Sequence, residues 1–290
     1  MNGPNFILIG VQKSGTTSLY NWLGQHPDVY ANELIKDYNY FCNDELLSLS
    51  RDYFGRFFKN VSDERILMHG FPNYIYFYKN SAANIYKFNK NIKLLLILRN
   101  PIERAYSAYW EAKKTALEDS KSFEEALSRE SSYIVNGNMK EKGALTYVDH
   151  GYYSRQIEGY YKYFSKEQIK IIFFEDLKRN PDKTVGQVFS FMNIDNKFKP
   201  NFSIKNSSAL PRSVVMQRIF QSLTMPKFIK PFVPPSVSSK IKISLIRKLN
   251  VKPFQYAQMK QETRNFLVST FKDDIKRLEK ILDVDLSHWQ

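Results

Sequence analysis

Acidic residues are missing from one long stretch of this chain: between Asp195 and Glu262 there is no aspartate and no glutamate. Lysines and arginines continue through it, among them Lys197, Lys199, Arg212, Arg218, Arg247 and Lys248, so nearly all of the net charge of +14 belongs to this stretch. It also holds Pro231, Pro234 and Pro235, which predicts a loop-rich segment over 196–260 with short helices at Val214 to Leu223 and Lys240 to Leu249. A cationic rim of this kind suits an anionic small molecule, an acidic acceptor or an anionic membrane surface. No nucleic-acid-binding motif accompanies the charge, so no nucleic-acid partner is expected. Cysteine is nearly absent as well, and the single Cys42 excludes an intrachain disulfide. No apolar run approaches the ~18 residues that span a bilayer, and no basic-then-apolar leader opens the chain. The expectation is a cytoplasmic protein of one domain over 1–290. No His, Cys or carboxylate cluster has metal-ligand spacing, so no metal is expected, and no Gly-x-Ser-x-Gly elbow occurs.

What is present is concentrated in two segments. In Phe6 to Leu19, FILIGVQKSGTTSL, an apolar run predicts a buried strand over Phe6 to Gly10, a tight loop over Gln12 to Gly15 and a helix from Thr16 to Gln25 with Leu19, Trp22 and Leu23 inward. The N–H groups of Gly15, Thr16, Thr17 and Ser18 have no partner within such a helix, the helix dipole adds to them, and Lys13 contributes a full charge. An anion is favoured there. The nucleoside-triphosphate loop GxxxxGK[ST] sets its lysine after the second glycine, whereas Lys13 precedes Gly15, so a single phosphate-like group fits better.

The second segment is Ile92 to Trp110, IKLLLILRNPIERAYSAYW. Leu94 to Leu98 is too continuously apolar for a half-exposed strand and predicts a central parallel strand covered on both faces. Arg99 stands at its carboxyl end. Asn100 and Glu103 predict a capping box, with Pro101 at the first helical position. Ligands of open α/β sheets bind at the carboxyl ends of the strands, so Arg99 and Ser107 are expected to face the crevice of the Lys13 loop. The fold class is α/β, a P-loop-like single domain with a central, mostly parallel sheet flanked by helices.

Together these motifs resemble the sulfotransferases that use 3'-phosphoadenosine 5'-phosphosulfate (PAPS), above all the branch of the heparan sulfate sulfotransferases and their bacterial relatives. That resemblance implies that Lys13-Ser14-Gly15-Thr16-Thr17-Ser18 grips the 5'-phosphosulfate, and that Arg99 and Ser107, within RNPIERAYSAY, grip the 3'-phosphate. The likeness continues at Pro72-Asn73-Tyr74, at Gly151-Tyr152-Tyr153 with Gln156-Ile157, at Glu175-Asp176-Leu177 and from Leu278 to Trp289. It implies a co-substrate, PAPS, a product, adenosine 3',5'-bisphosphate, no metal, and an acceptor that is a carbohydrate or glycolipid. Many relatives carry a late basic-glycine loop that this chain lacks; Lys205-Asn206-Ser207-Ser208 or Arg212-Ser213 would take its place.

The acceptor side carries two candidates for the base. The family segment K-E-x-x-F-F corresponds to Lys36-Asp37-Tyr38-Asn39-Tyr40-Phe41, so that Asp37 replaces the glutamate with a side chain one methylene shorter. Lys36 would touch the transferring sulfonate. His69 stands where relatives tend to carry a glutamate, and a histidine titrates near 6.5, so it is the second candidate. Two other readings are kept. A P-loop kinase would need Mg²⁺ held by an acidic group at a strand end, where Arg99 stands instead. A non-catalytic nucleotide or glycan binder would follow if the Lys36-Asp37 pair had lost its function.

Overall fold

The computed structural model describes residues 3–32, 35–202, 209–211, 251–253 and 257–289. The two helices and both replacement loops expected within 196–260 lie outside the described residues. In chain order the main elements are β1 (Phe6–Gly10), α1 (Thr16–Leu23), β2 (Val29–Ala31), α2 (Asp44–Ser48), α3 (Arg51–Gly55), β3 (Ile66–Gly70), α4 (Tyr78–Phe88), β4 (Lys93–Leu98) and α5 (Pro101–Lys114). They continue as α6 (Phe123–Asn136), α7 (Met139–Leu145), α8 (Tyr153–Tyr161), β5 (Ile169–Phe173), α9 (Phe174–Arg179) and α10 (Pro181–Met192), and later the helix Gln261–Leu282. A short antiparallel pair joins 209–211 to 251–253.

By its contacts the chain divides into two units. The first comprises Met1–Arg104, Asp149–Ile204 and Phe266–Gln290, and the second Ala105–Val148 and Lys205–Asn265. The first holds the sheet, whose order is β2-β3-β1-β4-β5, with every pairing parallel. The α/β class with a parallel sheet flanked by helices is therefore the observed one. The chain builds outward from β1 to β2, returns through β3, and then crosses to β4 on the other side of β1. That reversal sets the switch point between β1 and β4, where an open α/β sheet offers its crevice. The Lys13 loop follows β1 and Arg99 follows β4.

Burial explains why these two strands are central. All five residues of β1 are buried, and Leu94 to Leu98 are wholly so. On one face Phe6, Leu8, Leu95 and Ile97 pack with Leu19 and Leu23 of α1 and with Val185, Val188 and Phe189 of α10. Burying a side chain of this size contributes roughly 1.5–3 kcal/mol each, so the crevice rests on a firmly packed layer. α1 stops two residues earlier than expected: Gly24 still donates to the Tyr20 carbonyl at 3.0 Å, but the N–H groups of Gln25 and His26 turn to carbonyls three residues back, Trp22 O and Leu23 O, each at 3.2 Å.

Candidate active site

The phosphate loop is built from backbone geometry. Gly15 is the N-cap of α1 at φ 80°, where a Cβ would meet the Phe174 ring at 3.2 Å. With no side chain there and no acidic residue in the first turn, the helix start is uncapped and electropositive. Lys13 also adopts a left-handed φ of 70°, a conformation that costs an L-residue about 1–2 kcal/mol. Among the bonds that hold the loop, Val11 N–H donates to Ile97 O at 2.9 Å, Ser14 N–H to Val11 O at 3.3 Å, and Arg99 Nη1 to Lys13 O at 2.8 Å. Ser14 is fully buried, and its hydroxyl has no hydrogen-bond partner among the described residues.

Arg99 is half-buried at the end of β4, and burial pulls its pKa down against the opposing pull of Glu103, Tyr153 and Glu175. Its guanidinium lies 4.8 Å from the centre of the Phe174 ring, and its carbonyl accepts the Tyr153 hydroxyl at 2.9 Å. The helix after it begins at Pro101, as expected. Asn100 Oδ1 accepts from the N–H groups of Ile102 at 2.9 Å and Glu103 at 3.4 Å. The other half of the expected capping box is replaced: the Asn100 N–H donates to Glu175 Oε1 at 3.3 Å. Asn100 Nδ2 reaches Trp289 O at 3.1 Å, which brings the last described residues under the strand end.

An open pocket is lined by Leu8, Thr16, Tyr20, Lys36, Asp37, Gly70, Phe71 and Pro72. Asp37 enters it from a left-handed turn, φ 68°, with its N–H donating to Gly70 O at 2.8 Å. Lys36 Nζ donates to Thr17 Oγ1 at 3.1 Å and to Asp37 Oδ2 at 3.0 Å. The carboxylate is 56% exposed while the ammonium side chain is 15% exposed, so the acidic group is the one that meets solvent. The structure thus brings Thr16, Thr17, Lys36 and Asp37 together at one helix start.

His69 is placed elsewhere, and this corrects its candidacy as base. It is wholly buried among Phe41, Phe54 and Tyr74, and does not line the pocket. The Tyr74 hydroxyl donates to Tyr38 O at 3.0 Å and lies 2.9 Å from His69 Nε2. Burial pushes the imidazole down to about 3, so it is neutral. Along β3, alternation explains the difference: Gly70 faces the pocket and the preceding residue turns away. Ser107 belongs to the second unit, half-buried on α5, whereas every other candidate belongs to the first.

Phe174 and Asp274 are invisible to motif reading, whereas Trp289 ends a stretch whose likeness the sequence shows. Phe174 is the ring beside both Gly15 and Arg99, and the sequence offers only an aromatic at the end of an apolar run. Asp274, on the helix Gln261–Leu282, accepts the Ser154 N–H at 3.3 Å and its hydroxyl as well, capping the start of α8 from another helix. Trp289 is 1% exposed between Tyr153 and Phe173. Among the described residues no group of His, Cys, Asp or Glu could hold a metal ion, and no helix is long and apolar enough to cross a membrane.

Comparison with known proteins bears on this arrangement. The family model described as Sulfotransferase domain matches residues 3–228. Heparan sulfate glucosamine 3-O-sulfotransferase 5 of Mus musculus is 29% identical over 194 residues, which cover 66% of this chain and 54% of that protein. Membrane-associated sulfotransferase kil1 of Dictyostelium discoideum is 30% identical over 153 residues, covering 49% of this chain and 32% of its own. The chain spans about half the length of the first of these relatives or less. Among solved structures, a sulfotransferase from Alicyclobacillus acidocaldarius superposes with a TM-score of 0.74 at 25% identity, over 100% of this chain and 99% of that one.

Proposed function

The chain belongs to the sulfotransferase domain family, and from that premise we propose that it transfers a sulfonate group from PAPS to a hydroxyl or amine of a glycan acceptor. The observation that carries the reading is the convergence of Thr16, Thr17, Lys36 and Asp37 at the uncapped start of α1, with the Lys13 loop directly before it.

The donor fits the residues on two counts. The buried Ser14 hydroxyl, which costs about 1–3 kcal/mol while unpaired, would be satisfied by a phosphate oxygen. The N–H groups at the start of α1 favour the same negative charge, and Arg99 supplies a forked cation for a second phosphate. In the transfer, Asp37 would take the proton of the acceptor hydroxyl as its oxygen bonds to sulfur. The bond from sulfur to the bridging 5'-phosphate oxygen breaks at the same time, and Lys13 and the helix-start N–H groups would neutralise the charge left on that oxygen. Adenosine 3',5'-bisphosphate leaves. Lys36, held between Thr17 and Asp37, would meet the sulfonate as it passes. A glycan acceptor is supported by the names of the heparan sulfate relatives, and a basic run over 196–260 suits an acidic chain or a glycolipid at an anionic surface.

The test is transfer of labelled sulfonate from PAPS to heparan-type oligosaccharides by the wild type, Lys13→Ala and Asp37→Asn. Transfer by the wild type that each substitution cuts by about 10²-fold or more is the expected result. Mg²⁺-dependent consumption of ATP with none of PAPS would overturn the proposal in favour of a kinase.

A further inference from the structure

Lys13 and Gly15 both hold left-handed backbone, at φ 70° and 80°, within one short loop. The peptide that links Lys13 to Ser14 is gripped on both edges. Its carbonyl accepts from Arg99 Nη1 at 2.8 Å, and its N–H donates to Val11 O at 3.3 Å. A peptide is planar, so two bonds on opposite edges set its rotation, and with it ψ of Lys13 and φ of Ser14. Turning this plane over would break both bonds and re-aim the residues that lead into the helix start. Arg99 is itself held in place: Tyr153 anchors its carbonyl at 2.9 Å, and Phe174 lies against its guanidinium at 4.8 Å. The same Phe174 ring stands where a Cβ on Gly15 would fall, so one aromatic spaces both the guanidinium and the loop.

We propose that Arg99 is a positioning residue for the phosphate loop: by holding the Lys13 carbonyl it keeps the cradle for the 5'-phosphate in its binding shape. The inference rests on the donor reading above and adds to it. A guanidinium carries five N–H donors, so the bond to Lys13 leaves donors for a 3'-phosphate. The two ends of the nucleotide are then coupled through one side chain, and a ligand without a 3'-phosphate also depends on Arg99.

Calorimetry with two ligands separates this coupling from a simple clamp. Adenosine 3',5'-bisphosphate carries both phosphates, and adenosine 5'-monophosphate lacks the one that Arg99 would contact. Arg99→Ala is expected to weaken both by about tenfold or more, since each loses a charge-assisted bond or a cradle shaped by one. A loss confined to the bisphosphate, with the monophosphate bound as tightly as by the wild type, would overturn the proposal. Should Arg99→Ala fail to fold, Arg99→Lys decides the matter: it keeps the charge without the fork. It is expected to weaken both ligands by a similar factor, and weakening of the bisphosphate alone overturns the inference. Wild-type protein that bound neither nucleotide would overturn the donor reading and this inference with it, a result distinct from the others.

Discussion

The Lys36 ammonium donates to Asp37 Oδ2 at 3.0 Å, so the proposed base and its neighbouring cation form one unit at the mouth of the pocket. Thr17 Oγ1, 3.1 Å from the same nitrogen, ties that unit to the first turn of α1. On the proposed reading a group bound at the helix start would meet Lys36, and an acceptor would meet the more exposed Asp37.

Asp37→Asn keeps the shape of the side chain and removes its capacity to take a proton. Turnover is expected to fall by about 10²–10⁴-fold, while the affinity for adenosine 3',5'-bisphosphate stays within about threefold. Steady-state kinetics beside calorimetry checks this, and a parallel loss of nucleotide binding would show Asp37 to be a structural residue of the loop.

Gly15→Ala places a Cβ 3.2 Å from the Phe174 ring on a backbone at φ 80°. The strain is expected to destabilise the protein by about 1–2 kcal/mol and to weaken nucleotide binding. Urea unfolding and calorimetry measure the two effects; an unchanged midpoint would mean that the loop relaxes without cost.

His69→Phe tests the correction made by the structure. Tyr74 keeps its bonds to Tyr38 O and Phe41 N, and the new ring joins Phe41 and Phe54, so turnover is expected to stay within a few-fold of wild type. The imidazole is held at about 3, below its ordinary 6.5. As pH falls from 6.5 the unfolded chain takes a proton that the native protein refuses, so wild-type stability drops across that window. The variant is expected to drop less between pH 6.5 and 3, as read from denaturant midpoints. Abolished turnover in a folded His69→Phe protein would restore His69 as a base.

Glu124, in the second unit, accepts from Thr263 Oγ1 at 2.5 Å and from Lys260 Nζ at 3.4 Å. The Thr263 bond above all holds its carboxyl down at about 2, against an ordinary 4.5. A depressed folded value contributes stability above 4.5 that is lost as pH falls through about 2. Thr263→Val is expected to be less stable than wild type at neutral pH by about 1 kcal/mol or less, because the carboxylate is partly exposed, and equally stable near pH 2. A difference that persists at pH 2 would assign the loss to packing.

Much of the candidate site's backbone frame was legible because its signals are local. A buried run, a glycine-containing turn and a helix start occupy consecutive positions from Phe6 to Leu23, and Leu94 to Pro101 repeats the logic with a strand, a cation and a proline. Periodicity and backbone restriction act over a few residues, which is the range a sequence displays openly. The pair Lys36-Asp37 was legible through its likeness to a family segment, and its turn geometry was not.

Composition and local pattern thus determined the α/β class, the two central strands, the anion-favouring helix start and the guanidinium at a strand end. Tertiary structure decided what those groups touch. Arg99 meets the Lys13 carbonyl across 86 positions, Asn100 meets Trp289 across 189, and Asp274 caps α8 across 120. It also decided that His69 points into an aromatic core, since one step along a strand reverses the face a side chain occupies. Such contacts depend on strand order and on which helix packs where, and these follow from the balance of burial over the whole unit.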